Sequence, residues 1–236
     1  MFSATRMMRT ASIGWLFPMM AIAARGTPGA QVESLWQYDE ITDTGYYGFV
    51  PASVFITGLD LTTLTGFTSG TNQNSDAGWL KFYVGPTAVC NSTPGTAKCL
   101  FIAKQSFKYR LSWNHINSAG LVRGTISRIV RGQLYNIRIM TGGGASRGPG
   151  SEWNELIYRV HAEQPEPKSN WETFDTIETN ITSGHGRYVW CQETSPTRFP
   201  QRVLRGRLSL TRWNDQDRSW ADITYGWRPV LEYVPQ

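Results

Sequence analysis

The sequence predicts an α+β fold with a strong β bias, and three observations predict it. Aromatic residues are 13% and charged residues 17% of the 236 residues, a balance that favours a packed core over disorder. Gly (23) and Pro (12) are plentiful enough for many tight turns. Short apolar runs alternate with turn residues, and two stretches carry helical signals, so two short helices and long loops are expected among many strands.

Residues 1–35 read as an extended N-terminal arm. Within it, ASIGWLFPMMAIAA (11–24) is apolar and follows Arg6 and Arg9. The pattern is like that of a secretory signal peptide. It is short for a membrane span, and Pro18 interrupts it. The preferred expectation is an arm that docks onto a larger assembly, with an uncleaved signal peptide as the alternative. Gly26-Thr27-Pro28-Gly29 reads as its hinge. Residues 36–77 are rich in Thr, Gly and Tyr and read as a β-rich connecting region without helical period.

The main domain is expected over 78–236. GWLKFYV (78–84) reads as a strand, with KCLFIAKQ (98–105) as its partner across a Pro94-Gly95 turn. FKYRLSW follows, then a short helix with Ser112 as N-cap and Gly120 as stop. Residues 129–140 read as a hairpin turning at Arg131-Gly132, and 141–150 as a loop. Residues 151–161 read as a second helix, capped by Ser151, with Trp153, Leu156, Ile157 and Val160 on one face. Residues 171–187 look like a polar loop and 187–193 like a strand. RVLRG (202–206) and GWRPVLE (226–232) read as two strands flanking the nineteen residues 207–225.

Those nineteen residues are the candidate binding surface. They hold Arg212, Trp213, Asn214, Asp215, Asp217, Arg218, Trp220, Asp222 and Tyr225. Trp, Tyr and Arg offer large contact area at low entropic cost, which is what binding hot spots favour. Long ordered loops are usually functional. The alternative is a structural loop with its tryptophans packed and its charges solvated. The oxygens of Asn214, Asp215, Asp217 and Asp222 do not follow calcium-loop spacing, and no metal is expected.

Other chemistries find little support. The net charge of +5 is scattered, with no run of four Lys or Arg, which argues against nucleic acid as a partner. His115, His161 and His185 lack metal-ligand spacing. Gly142-Gly143-Gly144 lacks the ending of a phosphate loop. Glu152 and Glu155 read as surface charges and capping. Cys90, Cys99 and Cys191 are an odd set without a CxxC pair, although Cys90 and Cys99 could face each other across a hairpin. Arg205 and Arg228 are expected to brace the base of the loop through backbone carbonyls. No cofactor and no catalytic residue is expected.

The ordered set WLKF, LFIAK, SWNHINSAG, YNIRIMTGG, GSEWNEL, WCQET, RVLRG and GWRPVLE resembles a group of tailed-bacteriophage virion proteins over residues 78–235. The C-terminal half of that group is similar to the formylglycine-generating-enzyme domain, a variant of the C-type lectin fold. In that pattern an RVxRGGSW-like strand and a GFRxx-like strand flank a long loop. Here Arg207 and Leu208 depart from that pattern after Arg205-Gly206, losing its second Gly and its Trp, and Cys191 has no second cysteine near it. The resemblance therefore implies the scaffold and not the oxidase chemistry. It implies a virion protein on the tail or capsid exterior. Its arm would bind other virion proteins, and its lectin-like loops, like those of phage tropism determinants, would meet a host receptor, protein or glycan. A homo-oligomer is expected, with a trimer as one arrangement. The alternative is a capsid decoration, head-fibre or tail adaptor protein. An oxidase is the remotest reading.

Overall fold

In the computed structural model, residues 37–144, 150–162 and 171–235 are described; the arm and its hinge lie outside them. The strands are β1 (Gln37–Asp39), β2 (Thr44–Val50), β3 (Thr71–Asn72), β4 (Trp79–Val84), β5 (Lys98–Ala103), β6 (Lys108–Leu111) and β7 (Arg123–Val130). They continue with β8 (Gln133–Ile139), β9 (Tyr188–Thr194), β10 (Arg202–Gly206), β11 (Trp213–Gln216), β12 (Asp222–Trp227) and β13 (Pro229–Tyr233). Two sheets result. One has seven strands in the order β1-β2-β4-β5-β13-β8-β7, the other six in the order β11-β10-β9-β12-β6-β3. The β-rich expectation holds.

The strongest local signals become hairpins. β4 and β5 pair antiparallel from Trp79↔Ala103 to Val84↔Lys98. β7 and β8 turn at Arg131-Gly132, which take φ of 52° and 79°. Both turn residues are left-handed, the conformation that lets a two-residue turn match strand twist. β7 begins at Arg123, earlier than the expected hairpin.

Among the described residues, three short helical elements flank the sheets. α1 (Gly58–Thr65) was absent from the expectation, because its Thr-rich sequence buries only Gly58 and Leu61. Its start is nevertheless encoded: the Thr57 hydroxyl accepts from the Asp60 amide at 3.0 Å. Its end is Gly66 at φ 68°, with the N–H returned to the last turn. α2 (Trp113–Ser118) has the expected Ser112 cap, and the His115 ring accepts from the Ser112 amide in return. Residues 153–160 are helical with the expected buried face, but the turn is π-helical over Trp153–Ile157 and 3-10 over Tyr158–Val160.

Residues 37–77 do not merely connect. They add β1 and β2 to the seven-stranded sheet and β3 to the edge of the six-stranded one. Each sheet gives one face to each of two apolar clusters. Trp79, Phe101, Ile137 and Leu231 meet Trp190, Leu204 and Trp227 together with Leu61 and Trp113. On the other faces, Leu80, Phe82, Ile102 and Val230 meet Val189, Cys191 and Val203 together with Trp153 and Leu156. Neighbouring strand residues point to opposite faces, so burial of both faces explains why these strands read as unbroken apolar runs.

Glu152 is not a surface charge. It is buried and forms a bidentate pair with Arg138 at 2.5 and 2.8 Å. Arg138 also donates to Glu232 at 2.8 Å, and Glu232 meets Lys98 at 3.1 Å. Burial would raise the Glu232 pKa, but Arg138 and Lys98 together hold it below the ordinary value. The three cysteines are free.

Candidate functional site

The span 207–225 is not one loop. Trp213–Gln216 pairs with β10 as the edge strand β11, and Asp222 already opens β12. Two short connections remain, 207–212 and 217–221. The second carries the chain from the edge strand to a strand beyond β10 and β9.

This arrangement divides the nine predicted residues. Asp215 is 8% exposed; it accepts from the Ser195 hydroxyl at 2.6 Å and lies 3.6 Å from Arg198. It anchors the 195–201 loop and is removed from the predicted surface. Tyr225 is 6% exposed and packs edge-on against Trp190 at 5.2 Å. Its hydroxyl accepts from Gln216 at 3.2 Å, and burial is the largest cause of its raised pKa. It too belongs to the core. Trp213 and Asn214 are half-buried on β11, opposite Arg205 and Leu204.

Asp222 is half-buried and accepts from the Thr224 amide at 2.8 Å and its hydroxyl at 2.7 Å, bonds that lower its pKa. Asp217 closes its own turn on the hydroxyl and amide of Ser219, which lower its pKa likewise. Each carboxylate is thus engaged locally. Among the described residues no group of three His, Cys, Asp or Glu side chains is placed to hold a metal ion.

Arg212, Asp217, Arg218 and Trp220 remain exposed. Trp220 shows 57% of its surface, held by its amide bonding the Asp217 carbonyl at 3.1 Å. The Arg218 carbonyl accepts from the Asn114 amide at 2.9 Å, which docks the 217–221 connection on the first turn of α2.

At that docking point the structure adds residues that the sequence did not single out. The Arg202 guanidinium lies 4.0 Å from the Trp113 ring centre. It donates to the Thr194 hydroxyl. The Trp113 indole N–H bonds the Cys191 carbonyl at 3.1 Å, which fixes the ring as a platform. The Arg202 pKa is lowered, first by burial and then by the positive charges of Arg218 and Arg123. The Arg202 guanidinium thus stacks on the indole within electrostatic reach of Arg218 and Arg123, and among the described residues no carboxylate forms a salt bridge with any of the three. The four residues stand at positions 113, 123, 202 and 218, so no local pattern could have revealed the cluster.

Arg205 reaches the 207–212 connection as expected, whereas Arg228 braces the end of β5 and not the loop. Arg205 donates to Asn154 at 2.8 Å and contacts the Leu210 carbonyl at 3.5 Å. Arg228 bonds the carbonyls of Ala103, at 2.7 Å, and Lys104. No protein-family model, curated protein or solved structure matches the chain.

Proposed function

We propose that this chain is a binding protein and not an enzyme: a virion component of a tailed bacteriophage, with a C-type-lectin-like domain that takes in the strands of residues 37–77 and engages an anionic host-surface receptor. The observation that carries the binding reading is the Arg202 guanidinium stacked on Trp113, within electrostatic reach of Arg123 and Arg218, with the exposed Trp220 on the connection docked there. Converging like charges are unfavourable unless a partner of opposite sign completes them, and guanidinium groups suit carboxylate and phosphate oxygens. An adjacent aromatic face suits a sugar ring. The virion assignment rests on the ordered motif set and the apolar arm. A glycan receptor rich in carboxylate or phosphate groups is the partner this chemistry fits.

The test uses the full-length chain on an array of anionic and neutral bacterial surface glycans at low and high salt. Expected is retention on anionic glycans that weakens with salt and is lost in the double variant Arg218→Ala with Trp220→Ala. Retention that survives the double variant would overturn the reading. Failure to bind any glycan, with firm attachment to virions lacking the protein, would establish the decoration or adaptor role instead.

A further inference from the structure

A second candidate region lies at the opposite edge of the six-stranded sheet. A cleft of ≈ 590 Å³ separates α1 from β3 and β6, and Lys108 lines it. Lys108 is 2% exposed, yet its ammonium donates to the Asn72 side chain at 2.6 Å and faces the Phe67 ring at 5.5 Å. An ammonium has three donors, so two remain. Among the described residues no carboxylate forms a salt bridge with it, and burial alone accounts for its lowered pKa. A buried charge is costly without a counter-charge, which makes this cation an unusual feature to keep at the floor of a cleft.

The walls are hydroxylic. Thr62, Thr63, Thr68 and Thr71 line the cleft. The Thr62 and Thr63 hydroxyls donate back to the α1 carbonyls of Gly58 and Leu59 at 2.8 and 3.1 Å, so their lone pairs are left to accept. Thr68 and Thr71 are exposed at the rim. The geometry points to a site for a sugar bearing an oxyanion, carboxylate or phosphate. The oxyanion would take the free Lys108 donors, and the sugar hydroxyls would bond the threonines.

Calorimetric titration of the full chain with glucose, glucuronate, glucose 1-phosphate and inorganic phosphate tests this. Expected is binding of at least one anionic sugar and none of glucose; the stronger anion identifies the oxyanion. Lys108→Met should weaken binding roughly tenfold or more, the effect of removing a charge-assisted bond. The titrations are run in the Arg218→Ala, Trp220→Ala background, which removes the anionic-sugar binding proposed for the arginine cluster and leaves this cleft to be read alone. Binding of glucose as tight as that of the anions, no binding at millimolar ligand, or an affinity unchanged by Lys108→Met would each overturn the proposal. If Lys108→Met does not fold, the rim pair Thr68→Val with Thr71→Val decides. A loss of about threefold for the sugar anion supports the site, and an unchanged affinity sinks it.

Discussion

Replacing Glu152 by Gln should destabilise the protein by about 3 kcal/mol. The side chain is isosteric, so no cavity forms and the change is electrostatic. Arg138 is buried and takes both Glu152 oxygens, at 2.5 and 2.8 Å, while one of those oxygens also accepts from the Thr141 amide at 2.9 Å. Breaking a buried pair by removing one charge typically costs about 3–5 kcal/mol. Glu232 stays on the Arg138 Nε at 2.8 Å, so the low end of that range applies. For a chain of this size the loss corresponds to a fall in Tm of about 6–12 °C. Urea unfolding followed by tryptophan fluorescence measures it, with the slope expected to stay constant. A double-mutant cycle with Arg138→Met should give a coupling of about 2 kcal/mol or more. A loss below about 1 kcal/mol for Glu152→Gln would show that the pair is dispensable and that the apolar cluster around Trp153 holds this segment unaided.

Trp220→Ala should change stability by less than about 0.5 kcal/mol, because the ring is largely exposed; a larger drop in denaturation midpoint would mean that it packs as a core residue. Gly132→Ala should cost about 1–2 kcal/mol from backbone strain alone, since φ is 79° and a Cβ there meets nothing within 4 Å. An unchanged Tm would contradict the left-handed turn. Burial pushes the Cys90 thiol up to about 12 and the Cys191 thiol well above its ordinary value, while Cys99 is half-buried. Only Cys99 should react promptly with a disulfide reagent at pH 8, and all three after unfolding. Burial, then the charge of Arg228, lowers the His161 pKa from 6.5 to about 3. The unfolded chain alone binds that proton between these values, so stability should climb with pH across the window and level off above 6.5. Between pH 5 and 6.5, above the ordinary carboxylates, the climb should vanish in His161→Gln; an unaltered slope there would assign it to another group.

The sequence disclosed elements whose signal is local. Asp-free apolar runs with a Pro-Gly or Arg-Gly turn became the β4–β5 and β7–β8 hairpins. Ser112 marked α2 because a side-chain cap acts within one turn. Three readings failed for identifiable reasons. α1 has a weak apolar face, and only its Thr57-Asp60 start was there to be read. β11 is Trp-Asn-Asp-Gln, polar enough to pass for loop, because an edge strand pairs on one side and Asp215 finds its partners in the distant 195–201 loop. Glu152 passed for a helix-start charge because Arg138 and Glu232, which bury it, arrive from other strands. The candidate surface shows the same division. Trp220 and Arg218 were legible as exposed loop residues, whereas the Trp113 platform needed the tertiary fold.

The run GWRPVLE shows how one residue can join the two sheets. It reads as a single strand, but Trp227 ends β12 in the six-stranded sheet and Pro229 opens β13 in the seven-stranded one. Arg228 alone lies between them. Pro229 supplies no N–H and holds the residue before it in extended backbone, so the ladder breaks there without a loop. The corner then needs an internal tie. Arg228 supplies it with bonds to the carbonyls of Ala103 and Lys104, at the end of β5 beside β13. Burial depresses its pKa to about 9, far below the ordinary guanidinium value, yet still leaves it charged at neutral pH. A lysine could not span both carbonyls with a rigid planar fork. β12 also pairs with β9 at Tyr225↔Tyr188 and Gly226↔Val189, so the corner sets this part of the six-stranded sheet against the larger one. The junction between the two sheets is therefore held by a buried cation whose planar fork bonds backbone carbonyls, and one side chain does what a loop would otherwise do.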